Sequence, residues 1–455
     1  MPLKGRVAVP YARLPRVKGA WGLRVTSVVA GLPVAMFSLA TLVVMALRQY
    51  SYPQMGDVLA TGLVGRAVLL PVLAAMADRY GPRRVLIPQM LVFCVATVAL
   101  MQDAEFFKPI SVLYVAGAIA GATLPTAGAP VRTAWAALGR PIPVQDGMVP
   151  GGTARTADDP MRRAVALEWS SIADIALLGP LLTMLLVETG HPRGGLIGAA
   201  AFAFFGVIGL ALQPSVGRAG AAGRGSGVPS ALGTAAARPG RAGRTSGVIA
   251  LALIAMALIA LLSAAAVAAI EISTVAAVDR YGHHALSGLF LALAAVGCFA
   301  SGLWNGWPAM PARRRLVVAL LLVVIATTLL WLAPGLALLP VSLFLLGVFA
   351  RPAITGGYAI LADLIRPGRL SGALSWYGCC LCLGAAAGVA AAGDLIGPDA
   401  ASGPAGGFRT AAAFAVMAAL VSLGARQLLG KPGRHVKTGR PGSAPELAGE
   451  ATSRG

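Results

Sequence analysis

Residues 74–84 read AAMADRYGPRR, a short basic stretch that lies between two long apolar runs of the chain. A tight turn between two helices needs a residue that tolerates positive φ, and Gly81 is suited to that role. Asp78 can accept hydrogen bonds from free N–H groups at a helix start, where the helix dipole favours an anion. The basic side chains that can pair with acids or with lipid phosphate are those of Arg79, Arg83 and Arg84. The stretch therefore predicts a tight, basic turn that joins two helices at a membrane surface.

The composition around this turn is that of a membrane protein. Of 455 residues, 57% are hydrophobic and only 12% are charged, whereas soluble domains carry roughly 25% charged residues. This excludes an ordinary soluble enzyme, a disordered scaffold and a coiled coil. A membrane-spanning helix needs about 17–25 residues. Twelve apolar runs are candidates: residues 26–47, 57–77, 85–101, 110–131, 164–188, 195–213, 247–270, 285–304, 316–332, 336–358, 370–393 and 410–425.

The distribution of basic residues predicts the orientation of these spans. With the N-terminus in the cytoplasm, five of the 37 Lys and Arg residues fall outside, two lie within spans and the remaining thirty face the cytoplasm. Such an asymmetry is the positive-inside rule, so both termini are expected to be cytoplasmic. It also accounts for the net charge of +20 without a nucleic-acid partner. The five outer residues are Arg48, Lys108, Arg193, Arg280 and Arg409.

The chain divides into two sets of six spans. A Gly-, Ala- and Arg-rich segment without apolar periodicity separates them and is predicted to be a flexible cytoplasmic linker. The predicted organisation is a basic cytoplasmic segment at 1–25, a six-helix bundle at 26–213, the linker at 214–246, a second six-helix bundle at 247–425 and a disordered cytoplasmic tail at 426–455.

The two sets repeat one another in sequence. Helix 5 contains ALEW at 166–169, and helix 11 contains ALSW at 373–376. Basic residues follow helix 2 at 79–84 and helix 8 at 313–315. Helices 4 and 10 carry matching Gly and Pro residues, namely Gly121 with Pro125 and Gly347 with Pro352. Two six-helix halves that repeat in parallel are typical of one large transporter class, whose site lies between the halves near the membrane midplane.

These features resemble the major facilitator superfamily. Its hallmark loop between helices 2 and 3 is similar to Gly-x-x-x-Asp-Arg-x-Gly-Arg-Arg; here Ala74 replaces the first glycine and Pro82 intervenes. The resemblance implies an all-α integral membrane protein with twelve transmembrane helices in two pseudo-symmetric six-helix bundles. It also implies that the loop cluster is a gate contact between the halves. The cluster is formed by Asp78, Arg79, Gly81, Arg83 and Arg84. The alternative is a basic membrane anchor without a gating role.

Two departures from the family pattern concern proton coupling. Proton-coupled members of the family often carry an arginine in helix 4, four residues before a glycine, and that position is Gly117 here. The glycine series of the family's antiporters in helix 5 is reduced to Gly179-Pro180. Both departures argue against proton antiport of the usual kind.

Charges at membrane depth are the candidate substrate or coupling residues, because a charged side chain there costs about 2.5–3.5 kcal/mol on insertion scales. Arg66 lies near the middle of helix 2, and Asp174 lies at comparable depth in helix 5. Three alternatives remain open for them: a direct ion pair, separate roles toward the substrate or coupling ion, or a depth misjudged by one turn.

Three further charges have less central positions. Glu168 lies about one turn inside helix 5, where an ion pair with Arg162 or Arg163 is the preferred interpretation. Glu271 is expected to end helix 7 in solvent. Arg351 lies in helix 10, one of the four cavity helices of the family, and is a candidate to contact an anionic substrate or an acid across the cavity. Neutral candidates on those helices are Ser38, Thr41, Thr123, Thr126, Ser263, Thr355 and Tyr358.

The sequence thus predicts a secondary transporter that works by alternating access. Because the predicted cavity helices are mostly apolar, export of a small amphipathic or drug-like molecule across the plasma membrane is the preferred function. The alternatives are a facilitator without proton coupling and a non-transporting membrane protein of binding or regulatory function. The chain is expected to act as a monomer, with a small molecule and membrane lipid as partners and protons as a candidate coupling ion. No phosphate-binding loop, metal motif or catalytic constellation is present in the sequence, so no enzyme activity, metal or cofactor is implied.

Overall fold

The computed structural model of the chain describes residues 20–102, 110–125, 131, 134–135, 160–189, 193–214, 244–282, 286–303, 311–332, 338–365, 370–397 and 403–426. The predicted linker and C-terminal tail lie largely outside these residues. The helices are α1 (Ala20–Leu47), α2 (Tyr52–Tyr80), α3 (Pro82–Met101), α4 (Ile110–Thr123), α5 (Pro160–Thr189), α6 (Gly194–Leu212), α7 (Arg244–Asp279), α8 (Leu286–Leu303), α9 (Ala312–Leu332), α10 (Leu339–Leu364), α11 (Leu370–Ile396) and α12 (Pro404–Ala425).

The described helices have the character of membrane spans. Eight are long and apolar enough to cross a membrane, and three others contain apolar stretches of 10–17 residues. Large apolar side chains such as Val95, Phe205 and Leu212 are mainly exposed on the outside of the bundle. In water such a surface would favour aggregation, whereas in a bilayer it faces lipid. The twelve helices match the twelve predicted runs in order.

Two helix ends differ most from the prediction. Helix 4 was expected to run to residue 131, but α4 ends at Thr123. Pro125 disfavours helical conformation in the residue before it, which explains the break. Helix 7 was expected to end at Glu271, but α7 continues to Asp279. The residues between are apolar or small and are almost all buried, so the membrane-spanning part of this helix extends two turns further than predicted.

The packing of the helices shows the pseudo-symmetry directly. In the first six helices, α1 packs on α5 and α6, α4 packs on α2 and α3, and α6 packs on α3 and α5. Each of these pairs recurs six helices later: α7 packs on α11 and α12, α10 on α8 and α9, and α12 on α9 and α11. The two halves meet mainly through α2 with α11 and through its repeat equivalent, α8 with α5.

The paired glycines of helices 4 and 10 play the same role in both halves. Gly121 of α4 packs directly on the backbone of Gly62 in α2. Gly347 of α10 packs on the backbone of Ala294 in α8. Small residues allow helix backbones to approach closely in membranes, where packing drives association. The predicted equivalence of these two glycines is therefore confirmed by equivalent contacts.

Candidate functional site

Two ends of the bundle are used below as landmarks. The Arg48 end carries the connection between α1 and α2, where Arg48 donates hydrogen bonds to the carbonyl oxygens of Met101, at 2.8 Å, and Gln102, at 3.2 Å. The Gly81 end carries the turn between α2 and α3. Gly81 there has φ +91°, as the sequence predicts, and its N–H bonds to the carbonyl oxygen of Ala77.

The α1–α7 contact contains a polar bond between the halves. The Ser38 hydroxyl of α1 donates to the carboxylate of Glu271 in α7 at 2.5 Å. Because α7 continues to Asp279, Glu271 lies about two turns inside the helix rather than at a solvated end. Its side chain is half-buried. The expectation that Glu271 ends the helix in solvent is therefore wrong.

A second carboxylate of α7 also reaches the N-terminal half. The Tyr52 hydroxyl, at the start of α2, donates to the Asp279 carboxylate at 2.6 Å. Asp279 follows Glu271 by eight residues, about two helical turns, so both carboxylates point toward the same neighbouring half. We call Ser38, Glu271, Tyr52 and Asp279 the α7 latch, since together they join α7 to α1 and α2.

Close backbone contacts surround the latch at the Arg48 end. A Cβ atom at Gly56 of α2 would lie 2.7 Å from the carbonyl oxygen of Val389 in α11. A Cβ atom at Gly393 of α11 would lie 2.7 Å from the carbonyl oxygen of Tyr52. Real Cβ atoms essentially never come so close, so only glycine fits at either position. The α2–α11 interface is therefore tightly closed at this end.

The repeat-related interface between α5 and α8 is closed in a similar way. A Cβ atom at Gly288 of α8 would lie 2.7 Å from the carbonyl oxygen of Pro180 in α5. The buried Ser287 hydroxyl lies 3.7 Å from the Met184 sulfur. The remaining antiporter-like pair, Gly179-Pro180, therefore lies beside this interface, with Gly179 packed on Ala35 of α1.

Arg66 lies on the α2–α11 interface at the middle of the bundle. It is the fifteenth of the 29 residues of α2, and its guanidinium is a hydrogen-bond neighbour of the Cys382 thiol in α11. Among the described residues no carboxylate pairs with Arg66. A thiol is a weak acceptor that does not neutralise a guanidinium. The structure therefore places an arginine without a described counter-ion between the two halves, at the middle of α2.

Asp174 pairs with a different arginine. The Arg24 guanidinium of α1 donates to the Asp174 carboxylate at 2.5 Å. The Arg24 side chain is 6% exposed and the Asp174 side chain 26%, so the pair is partly buried. The direct Arg66–Asp174 pair considered from the sequence is therefore wrong. From the sequence, Arg24 is expected in the basic N-terminal segment, because the apolar run begins at residue 26. In the structure α1 already begins at Ala20, so Arg24 is part of the helix.

Arg351 is held within the C-terminal half. Its guanidinium donates to the carbonyl oxygen of Cys298 in α8 at 3.1 Å. The Cys298 thiol in turn lies 3.2 Å from the carbonyl oxygen of Gly347 in α10. These bonds link α10 to α8 at the middle of both helices. Arg351 is therefore bound to a partner of its own half, and its predicted contact with an anionic substrate stays a prediction.

The charged turn at the Gly81 end is partly described. The Arg83 guanidinium donates to the carbonyl oxygen of Gln213, at the end of α6, at 3.1 Å. The Arg79 guanidinium lies 5.4 Å from the centre of the Tyr80 ring, and Arg84 is exposed. The side chains of Asp78 and Glu168 lie outside the described part. The predicted gate contact of this turn stays a prediction.

The described residues offer no metal centre. Among them, no group of three or more His, Cys, Asp or Glu side chains is placed to hold a metal ion. The cysteines Cys379, Cys380 and Cys382 are free thiols within α11. The ionisable groups described above in the interior are those of the α7 latch, Arg66, Arg351 and the Arg24–Asp174 pair.

The comparisons with known proteins concern the fold. No protein-family model matches the sequence, and no curated protein sequence matches it. Solved structures do match. The human organic anion transporter MFSD10 (TETRAN) is 16% identical, with a TM-score of 0.57, and the match covers 91% of this chain and 99% of that one. The nucleoside transporter NupG is 12% identical, with a TM-score of 0.61, over 90% of this chain and 99% of that one.

A third match is a bacterial homolog of the human lysosomal transporter Spinster, solved in an inward-facing and unoccupied conformation. It is 12% identical with a TM-score of 0.57, and the match covers 90% of this chain and 96% of that one. All three cover nearly the whole chain. Together with the repeated helix pairs, they show that this chain has the fold of the major facilitator superfamily transporters.

Proposed function

We propose that this chain is a secondary transporter that moves a small molecule across a membrane by alternating access between its two halves. The observation that carries the proposal is the way in which the repeated halves meet. Repeat-related helices α1 and α7 contact each other at the Arg48 end through the Ser38–Glu271 bond. Equivalent halves that meet through repeat-related helix pairs, α2 with α11 and α8 with α5, are suited to rigid-body rocking, which is how repeat transporters alternate their access.

We infer that the Arg48 end is the outer end and that the closed latch corresponds to a state whose cavity opens toward the cytoplasm. The positive-inside distribution supports this orientation, since the basic turn at Gly81 lies at the opposite end. Both termini are then cytoplasmic, and the basic turn acts as the gate that closes in the outward-open state. The plasma membrane is the proposed location.

We infer that the substrate is a small amphipathic or drug-like molecule and that the direction is export. The described side chains of α1, α4, α7 and α10 are mostly apolar, which favours a substrate with a large apolar surface. Arg66 adds a positive charge at the centre of the membrane, and an intramembrane charge is a functional candidate by default. An apolar molecule that carries an anionic or hydrogen-bonding group fits both features. Organic anions, named in the description of one of the similar structures, include such molecules.

Dye export from loaded cells tests the proposal. The probes are ethidium as a lipophilic cation, fluorescein as an organic anion and radiolabelled uridine as a nucleoside. Cells that express the wild-type chain should lose at least one probe faster than cells that express the Arg66→Ala variant. Arg409→Ala is the matched control, because Arg409 is an exposed arginine at the start of α12.

The result also separates the alternatives. Export that a protonophore stops indicates proton coupling, whereas export or equilibration that persists indicates a facilitator. If no probe moves and purified protein nevertheless binds one of them in a thermal-shift assay, the non-transporting alternative is favoured and the proposed function is overturned.

A further inference from the structure

We propose that Glu271 is the site at which the transporter binds its coupling proton, and that proton binding closes the α7 latch at the Arg48 end. The inference rests on the proposed transport function and adds the ion that drives it. It assigns a role to a carboxylate that lies inside the membrane-spanning part of α7 and bonds across the two halves.

The surroundings of Glu271 favour the protonated form in the closed state. Ser38 is the one polar side chain that the described residues bring to its carboxylate. A carboxylate that is half-buried beside a neutral hydroxyl, without a cation, loses part of its hydration, which favours binding of a proton. The Ser38 hydroxyl serves both forms, because a hydroxyl can donate a hydrogen bond or accept one.

The other charged groups on the neighbouring helices are engaged elsewhere or exposed. Asp279 of α7 binds Tyr52 of α2, and Arg66 of α2 neighbours Cys382 of α11. The remaining described groups on the helices packed against α7 include two arginines of α1: Arg24 is paired with Asp174, and Arg48, at the end of α1, is bonded to α3. Arg351 of α10 is bonded to Cys298 of α8. The others are exposed, namely Asp57 and Arg79 of α2, Asp394 of α11 and Arg409 of α12. None of these bonds supplies Glu271 with a counter-charge.

The position of Glu271 couples its proton to the conformation. When the halves separate at the Arg48 end, the bond to Ser38 breaks and water from that side reaches the carboxylate, which then ionises. A proton that binds more tightly to the closed state must, by linkage, favour closure. Lower pH on the Arg48 side therefore loads Glu271 and closes that end. Opening at the Gly81 end then allows the proton to leave on the other side.

A proton fits this site better than a metal cation. Hard metal cations are held by several oxygen ligands, whereas the described residues bring one carboxylate and one hydroxyl together here. A proton needs no coordination shell. The site also accounts for coupling without the helix 4 arginine of proton-coupled family members, since the carboxylate that carries the proton lies on α7.

The first experiment measures closure without any substrate. Spin labels are introduced through a genetically encoded amino acid at Glu188 and Tyr281, two exposed positions at the Arg48 end of opposite halves, with the native cysteines retained. In nanodiscs the wild-type short-distance population should increase as the pH falls from about 9 to about 5. Glu271→Gln should show an increased short-distance population that does not change with pH. Asp394→Asn, at an exposed carboxylate of the same end outside the latch, is the matched control and should keep the pH response.

Two outcomes would overturn the proposal: a wild-type distance distribution that does not change with pH, or a Glu271→Gln variant that responds to pH as the wild type does. A shift caused by Na⁺ at constant pH, but not by protons, would also reject the proton as the ligand. Because this measurement needs no substrate, it decides the proton site even if none of the transport probes is a substrate.

A transport experiment then links the site to the proposed function. In proteoliposomes with an imposed pH gradient, Glu271→Gln should lose gradient-driven accumulation of the transported probe and keep its exchange across the membrane. Wild-type gradient-driven transport that persists in Glu271→Gln would overturn the proposal. Absence of exchange for ethidium, fluorescein and uridine in the wild type would instead count against the transport function.

Discussion

The Ser38 hydroxyl of α1 donates a 2.5 Å hydrogen bond to the Glu271 carboxylate of α7. Because α1 and α7 occupy equivalent positions in the two repeated halves, this bond joins the halves through a pair of repeat-related helices. Any motion that separates the halves at the Arg48 end must break it. An ionisable group in that position makes the conformational equilibrium sensitive to the state of the carboxylate.

The Arg24–Asp174 pair predicts a large loss of stability when one partner is removed. Arg24→Ala leaves the Asp174 carboxylate, which is 26% exposed, without its cation. Breaking a fully buried pair costs about 3–5 kcal/mol, and the partial exposure of Asp174 reduces this cost. We expect Arg24→Ala to lower the apparent unfolding temperature in detergent. The double variant Arg24→Ala/Asp174→Asn should recover part of the loss, because the stranded charge is gone. Additive losses in the double variant would show that the two side chains are not energetically coupled.

The close contact of Gly393 with Tyr52 predicts a shift of the conformational equilibrium. Gly393→Ala places a Cβ atom 2.7 Å from the Tyr52 carbonyl oxygen, so α2 and α11 must separate at the Arg48 end. We expect a smaller short-distance population between labels at Glu188 and Tyr281. Gly424→Ala is the control, because a Cβ atom there meets nothing within 4 Å. An unchanged distance distribution in Gly393→Ala would mean that the interface absorbs the methyl group without opening.

The turn at Gly81 predicts an effect on rate rather than on binding. If the basic turn closes the Gly81 end in the outward-open state, Asp78→Ala removes an anion from a cluster of three arginines and weakens that closure. We expect a severalfold slower turnover of the transported probe, with its binding affinity unchanged. Asp394→Ala serves as the control, since Asp394 is exposed on α11 at the opposite end. Equal turnover in Asp78→Ala and wild type would leave the turn as a membrane anchor.

The sequence predicted the fold well, because hydropathy and charge asymmetry are strong signals in membrane proteins. The order of the twelve helices and the positive φ at Gly81 followed from the pattern alone. The end of α7 was predicted wrongly, because the charge of Glu271 was expected to end the membrane-spanning helix. The segment after it, residues 272–278, is apolar or small and would have extended the span to Asp279. A single charge inside an apolar run was therefore a poor criterion for a helix end.

The sequence predicted the candidate site less well, since pairing depends on which helices are neighbours. Arg66 and Asp174 have similar depth, yet α2 packs on α11 and α5 packs on α1, so the two side chains face different partners. Arg24 was missed because it is the fifth residue of a helix that begins before the apolar run. Ser38 was a candidate only as one of several hydroxyls, and its carboxylate partner is 233 residues away in the chain.

The position of Arg66 predicts the last variant. Arg66→Ala removes the arginine between α2 and α11 at mid-membrane, and we expect it to abolish probe export. Insertion should be unaffected or improved, because a central arginine costs about 2.5–3.5 kcal/mol on insertion scales. Cell-surface labelling and dye export, measured on the same cells, separate these two effects. Arg66→Lys keeps the charge and should retain part of the export, whereas Cys382→Ser keeps a hydrogen-bonding partner and should retain most of it. Full export by a correctly inserted Arg66→Ala variant would reduce Arg66 to a packing residue of the α2–α11 interface.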